Sequence, residues 1–331
     1  MKRRSFALAG LAALALPRLA FGQQARKVAR VGYLSTLSVE TGKPGMALFR
    51  EGMRALGYVE GKNLVIDERY AAGEFGKLAA MAAELLRLKP DVLLVYAAES
   101  AHAARSASGT VPIVLANTQD PIASGLVTSL ARPGGTITGL SDYHAASVTK
   151  RLELLKEAIP GLSRVAVFWR PDHAAHPQSV KDLQAAAPAL GLTLLPLQVK
   201  TAADIEPSFA AIRKERAGAL ILLGDALITT HMKRVADLGI QNRLPVTYTT
   251  RTFIHAGGLM GYGTNIPEMF RRSATYVDKI LKGARPGDLP IELATKFELT
   301  FNLRTARAIG ITIPRALLAR ADEVVETLSG R

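Results

Sequence analysis

The chain has 331 residues, 48% hydrophobic and 21% charged, a globular mixture that excludes disordered, collagen-like and low-complexity chains and is long enough for two domains. It contains no cysteine, which excludes disulfide frameworks, thiolate zinc sites, cysteine nucleophiles and lipid attachment at a cysteine. The formal charge of +14 would by itself suggest a nucleic-acid binder, but its placement argues otherwise.

Lys2, Arg3 and Arg4 precede an apolar run from Ala7 to Leu16, and Ala20-Phe21-Gly22 offers the small residues of a cleavage site. The run is far below the roughly 20 residues needed to span a bilayer, so residues 1–22 read as a signal peptide that sends the chain to the periplasm. Arg3-Arg4-Ser5-Phe6 resembles the twin-arginine export motif, with Arg18 near the cleavage point in keeping; general export is the alternative. Losing Lys2, Arg3, Arg4 and Arg18 with the leader lowers the charge from +14 to +10. The remaining basic residues are scattered beside acids, as in Lys214-Glu215-Arg216, which predicts a solvated basic surface and no nucleic-acid partner.

The mature chain alternates short apolar runs with amphipathic segments. Strands are predicted over 28–34, 63–70, 91–96, 112–116 and 137–140, and helices over 44–56, 75–88, 100–107 and 121–130, with Gly57 and Lys89-Pro90 as stops. The pattern then restarts: helices over 147–158, 178–190, 204–216, 228–238 and 267–281 alternate with strands over 164–169, 193–199, 219–223, 246–248 and 258–262. Most of these strands are continuous apolar runs, which implies parallel sheets covered by helices on both faces. Two such series predict an α/β chain of two doubly wound lobes.

In such sheets ligands bind beyond the carboxyl ends of the strands, so the residues after each strand become candidates. These include Ser35 and Thr36, then Ala98, Glu99 and Ser100, then Asp120, Tyr143, Trp169, Asp225, Tyr248, Arg251 and Tyr262. Ala98, Glu99 and Ser100 open a helix whose free N–H groups suit a carboxylate, while Glu99 and Asp225 suit an ammonium. Tyr96, Tyr143, Trp169, Tyr248 and Tyr262 cluster at strand ends, where aromatic walls could grip a ligand. There is no G-x-S-x-G, P-loop or G-x-G-x-x-G, and Asp172-His173-Ala174-Ala175-His176 reads as a polar loop. No catalytic residue, metal or cofactor is therefore expected.

Several stretches resemble exported solute-binding proteins of ABC transporters, in the group that includes tryptophan-type binders. They are Phe49-Arg50-Glu51-Gly52-Met53-Arg54-Ala55-Leu56-Gly57-Tyr58, Leu130-Ala131-Arg132-Pro133-Gly134-Gly135, Arg151-Leu152-Glu153-Leu154-Leu155-Lys156, Ala256-Gly257-Gly258-Leu259-Met260 and Thr295-Lys296-Phe297-Glu298-Leu299. The resemblance implies a type I periplasmic binding protein, with a three-crossover hinge between the lobes. One lobe would hold residues 28–141 and about 264–290, the other 142–263 and about 291–331. It further implies a monomer that closes on a small organic acid or amino-acid-like ligand and delivers it to an ABC permease. The alternative is a sensory module presenting ligand to a membrane receptor. Tyr96-Ala97-Ala98-Glu99-Ser100 departs from the glycines and threonine common there among relatives, which implies a ligand other than tryptophan.

Overall fold

The computed structural model describes residues 28–142 and 145–326, so the leader and Tyr143 lie outside the described residues. The first series runs β1 (Ala29–Ser35), α1 (Val39–Ala55), β2 (Leu64–Tyr70), α2 (Leu78–Arg87), β3 (Val92–Tyr96), α3 (Ala98–Ala107), β4 (Ile113–Asn117) and β5 (Ile137–Ser141). The second runs α4 (Ala145–Ala158), β6 (Arg164–Trp169), α5 (His176–Ala186), β7 (Thr193–Gln198), α6 (Ile205–Lys214), β8 (Ala219–Leu222), α7 (Ala226–Thr230), α8 (Met232–Gln241), β9 (Val246–Tyr248), α9 (Arg251–His255) and β10 (Met260–Thr264). The chain closes with α10 (Ile266–Leu281), β11 (Glu292–Leu293), β12 (Phe297–Asn302), α11 (Leu303–Ile309), α12 (Arg315–Leu318) and β13 (Glu323–Val325).

Two sheets result, in the orders β11-β5-β4-β3-β1-β2 and β13-β12-β10-β9-β8-β6-β7. All pairings are parallel except β10 with β12, as the continuous apolar strands predict. Helix α10 packs on α1 in the first lobe: Phe49, Met53, Phe270, Ala274 and Val277 share one core. The chain thus passes between lobes three times, after β5, between β10 and α10, and between β11 and β12.

Local chemistry shifts some element boundaries. Helix α1 starts at Val39, before the expected Pro44, because the Ser38 hydroxyl accepts from Thr41 N–H and caps it. The expected helix over 121–130 is a set of turns. Asp120 accepts from Ile122 and Ala123 N–H, Leu126 and Val127 N–H both return to the Pro121 carbonyl, and Gly125 turns left-handed. The helix expected over 228–238 is two helices broken at His231, and the strand expected over 258–262 runs from Met260 to Thr264. Gly139, at φ +129°, lets β5 lie against β4, where a Cβ would meet the Leu115 backbone at 2.4 Å.

At the second crossing, Asn265 ties the lobes together. Its Oδ1 accepts from Glu268 N–H, capping α10 in the first lobe, while its Nδ2 donates to Glu298 on β12 in the second, at 2.9 and 2.8 Å. Asn265→Ala removes both bonds, and a loss of about 1 kcal/mol is expected, a fall of roughly 2–4 °C in thermal melting. An unchanged melt would show that neither bond matters.

Candidate functional site

The carboxyl ends of the two sheets face each other across a cavity of about 50 Å³. By the same measure one water needs about 10–15 Å³, so there is room for a few waters, and a larger guest requires the walls to part. The first lobe contributes Tyr96, Ala98, Glu99, Asn117 and Gln119, and the second Asp225, Tyr248 and Thr249. Asp142, just past β5, lies on the crossing itself.

The N-terminus of α3 faces this space. Its N-cap is Ala97, held at φ +71°, whose methyl side chain makes no capping bond. The first amides of α3 therefore lack a side-chain acceptor, and Ala98 and Glu99 carry them into the cavity wall. Asp225 instead caps α7 through Leu227 N–H. The Tyr248 hydroxyl donates to the Asp225 carbonyl at 3.2 Å and lies 2.8 Å from the Thr229 hydroxyl; burial pushes its pKa up to about 12.

The wall is acidic. Burial raises the pKa of Asp142 to about 6 against a hydrogen bond from Asn117, and its Oδ1 has no hydrogen-bond partner. Burial also raises that of Asp225, opposed by the adjacent Arg170. Arg170, just past β6, crosses the cleft. Its Nη2 donates to Glu99 of the first lobe at 2.7 Å, its Nε lies 3.2 Å from Asp225 Oδ2, and the guanidinium stacks 4.5 Å over the Phe75 ring. The Nε–Oδ2 contact is an ion pair without hydrogen-bond alignment, since both atoms remain unpartnered. A second bond spans the lobes, from Gln119 Nε2 to the Gly224 carbonyl at 3.1 Å. A Cβ on residue 224 would sit 2.1 Å from Gln119 Nε2, so any side chain there would push Gln119 out of this bond.

His176 accepts from Arg170 N–H at Nδ1, which leaves Nε2 to donate to the Gly224 carbonyl. It stacks on His173 at 4.0 Å, and burial lowers the pKa of both, His173 to about 4, so the two rings are neutral at pH 7. Among the described residues no group of three or more His, Asp and Glu has metal-holding geometry.

Of the expected site residues, Ala98, Glu99, Asp225 and Tyr248 converge on the cavity. Ser35 is buried and accepts from Leu37 N–H, Thr36 is buried with its hydroxyl unpartnered, and Ser100 turns its unpartnered hydroxyl into the protein. Asp120 serves the turn that follows it. Trp169 packs against the core of the second lobe, beside Arg170 in a narrow crevice. Tyr262 stacks on Phe297 at 5.6 Å, and Arg251 is held by Glu323 and Glu298. Asn117, Gln119, Asp142 and Arg170 were absent from the expected set, although each stands in a loop or strand end that the strand-end rule singled out.

A family model described as "ABC transporter substrate binding protein" matches residues 37–325. A protein of Clostridioides difficile (strain R20291) named "Tyrosine-binding protein" is 25% identical over 272 residues, 82% of this chain and 77% of that one. A structure from Vibrio cholerae O1 biovar El Tor, described as a conserved domain protein, superposes with a TM-score of 0.85 at 30% identity, covering 90% of this chain and 100% of that one. A structure from Streptococcus pneumoniae described as an ABC domain in complex with L-Trp superposes with a TM-score of 0.83 at 24% identity, covering 90% and 99%.

Proposed function

The chain belongs to the ABC transporter substrate binding proteins, and from that premise we propose that it captures an amino acid between its lobes in the periplasm and hands it to an ABC permease. The observation that carries the ligand class is the pairing of opposite chemistries across one cavity. The uncapped first turn of α3 suits a carboxylate, and the half-buried Asp142 and buried Asp225 across the cavity suit an ammonium. A free amino acid presents both. The relatives named for tyrosine and solved with L-Trp fit this class.

Binding proceeds without covalent chemistry. The ligand meets one lobe first, and the closed form wins because only there are both lobes in contact with it. The Arg170–Glu99 and Gln119–Gly224 bonds already join the lobes, so entry begins with their opening.

The test is a thermal-shift panel on the chain from Gln23 onward. It includes L-tyrosine, L-tryptophan, L-glutamate and L-glutamine beside their deaminated and decarboxylated counterparts. An amino acid at a hundred times its Kd adds about 2.7 kcal/mol, a rise of roughly 5–10 °C. Neither counterpart, lacking one charged end, should match it. Equal shifts from a deaminated acid, or none from any amino acid, would sink the reading.

A further inference from the structure

Behind the cleft lies a second polar cavity of about 40 Å³, lined by Arg151, Ser147, Ser179, His176, Gln119 and Asp142. It shares Gln119, Asp142, Gly224 and Thr249 with the main cavity. We propose that Arg151 makes this an anion subsite, and that the ligand reaches it with an acidic group other than its α-carboxylate. This rests on the amino-acid reading above and narrows it to amino acids with an acidic side chain.

The first observation is a buried charge without a counter-ion. Arg151 stands on α4 and is only 1% exposed. Its Nη1 donates to the Leu222 carbonyl at 3.1 Å, and its Nε is buried with no partner. Among the described residues no carboxylate forms an ion pair with it, whereas the other buried arginine, Arg170, has two. Burial lowers the Arg151 pKa to about 10, opposed by the nearby Tyr248, so it stays charged at pH 7. A buried guanidinium lacking an anion is costly, and a carboxylate brought by a ligand would relieve that cost with charge-assisted bonds.

The second observation is the room and its lining. The cavity exceeds the roughly 10–15 Å³ needed for one water and is on the scale of a carboxylate group. Ser147 and Ser179 line it too, the Ser179 hydroxyl donating to the Ala175 carbonyl at 3.0 Å, and with His176 neutral Arg151 is the one cation on this wall. Asp142 is the one acid on this wall. It stands where the two cavities meet, which suits the ammonium of a ligand whose acidic end goes on to Arg151. Gln119 and Gly224, joined by the bond that spans the lobes, line both cavities, so a swing of Gln119 would open one toward the other.

Two measurements test this on the mature chain. In the first, melting is followed with millimolar sodium formate against equal sodium chloride, for wild type, Arg151→Met and Arg151→Lys. Formate is expected to raise the wild-type melt beyond chloride and to leave Arg151→Met unmoved. Arg151→Met itself should melt no lower than wild type, because it removes an unpaired buried charge. Equal responses of wild type and Arg151→Met to formate overturn the subsite, whatever the amino-acid panel gives. In the second, calorimetry compares L-glutamate with L-glutamine. Wild type should favour glutamate at least tenfold, and in Arg151→Met the ratio should fall toward one. A ratio near one in wild type, or the same ratio in both proteins, overturns the claim of an acidic side chain, as does failure of both to bind while another amino acid of the panel does. If no amino acid binds, the amino-acid reading fails and formate still decides the subsite.

Discussion

Replacing Arg170 with methionine is expected to lower the melting temperature by roughly 5–10 °C, the equivalent of about 3 kcal/mol. The substitution keeps most of the aliphatic stem but removes the charge between two carboxylates. The Asp225 side chain is 3% exposed and that of Glu99 28%, so the penalty falls mostly on Asp225, left nearly dry without its counter-ion. Asp225 keeps its bond from Leu227 N–H, which holds the loss near the lower end of what breaking a buried pair costs. Pairing Arg170→Met with Asp225→Asn removes the stranded charge as well and should restore much of the melt, a coupling that a double-mutant cycle measures directly. Because Arg170 joins Glu99 and Phe75 of the opposite lobe, the single variant should also show a larger radius of gyration in solution scattering when ligand-free. A melt within 1 °C of wild type would mean that the pair contributes nothing.

The second large effect concerns Asp142 and has opposite signs for stability and for binding. Its folded pKa stands at about 6 against an ordinary value of 3.8, so the folded chain holds a proton that the unfolded chain has released. Where the folded state binds more protons, stability falls as pH rises. The loss develops between about pH 4 and 6 and is complete above that window, reaching about 2–3 kcal/mol. Asp142→Asn should therefore melt higher than wild type at pH 7–8 and converge with it near pH 4. The same change removes an anion from the proposed ammonium site, so amino-acid affinity should drop at least tenfold. In wild type, affinity should weaken below about pH 6 as protons compete with the ligand's ammonium. Calorimetry and melts across pH 4–8 read both halves. An asparagine variant that is more stable and binds undiminished would remove Asp142 from the site.

The α/β plan was legible because burial on both faces leaves a coarse trace. Val92 to Tyr96 and Arg164 to Trp169 are nearly unbroken apolar runs, and the turns between such runs fall where the sheets need them. The stretch from Pro121 was misleading, since a proline followed by apolar residues matches a helix start. What decides it is the Asp120 carboxylate bonding to two amides downstream, which periodicity does not register. The strand-end rule located the loops but not the direction of each side chain. Ser35 and Ser100 sit in qualifying positions with their hydroxyls turned into packing. Arg170 was visible in its loop, but its partner Glu99 is 71 positions away, a distance no local pattern bridges. Arg151 did leave a signal. It lies three residues after Val148 and four before Leu155, so a charge interrupts an apolar stripe in register with it, which marks a guanidinium facing inward.

The placement of α10 and β11 bears on the order in which the molecule is made. The first five strands emerge from the ribosome long before the helix that covers them: Phe49 and Phe270 share a core across more than two hundred residues of chain. Five strands of the second lobe, β6 to β10, are synthesised in between. The lobe begun first is therefore finished late, with its sheet awaiting α10 and its edge awaiting β11. Such distant pairings fold slowly and leave apolar surface open meanwhile. A nascent chain stopped before residue 266 would expose the apolar face formed by Tyr33, Phe49 and Met53, and that is the stage at which a chaperone has most to hold.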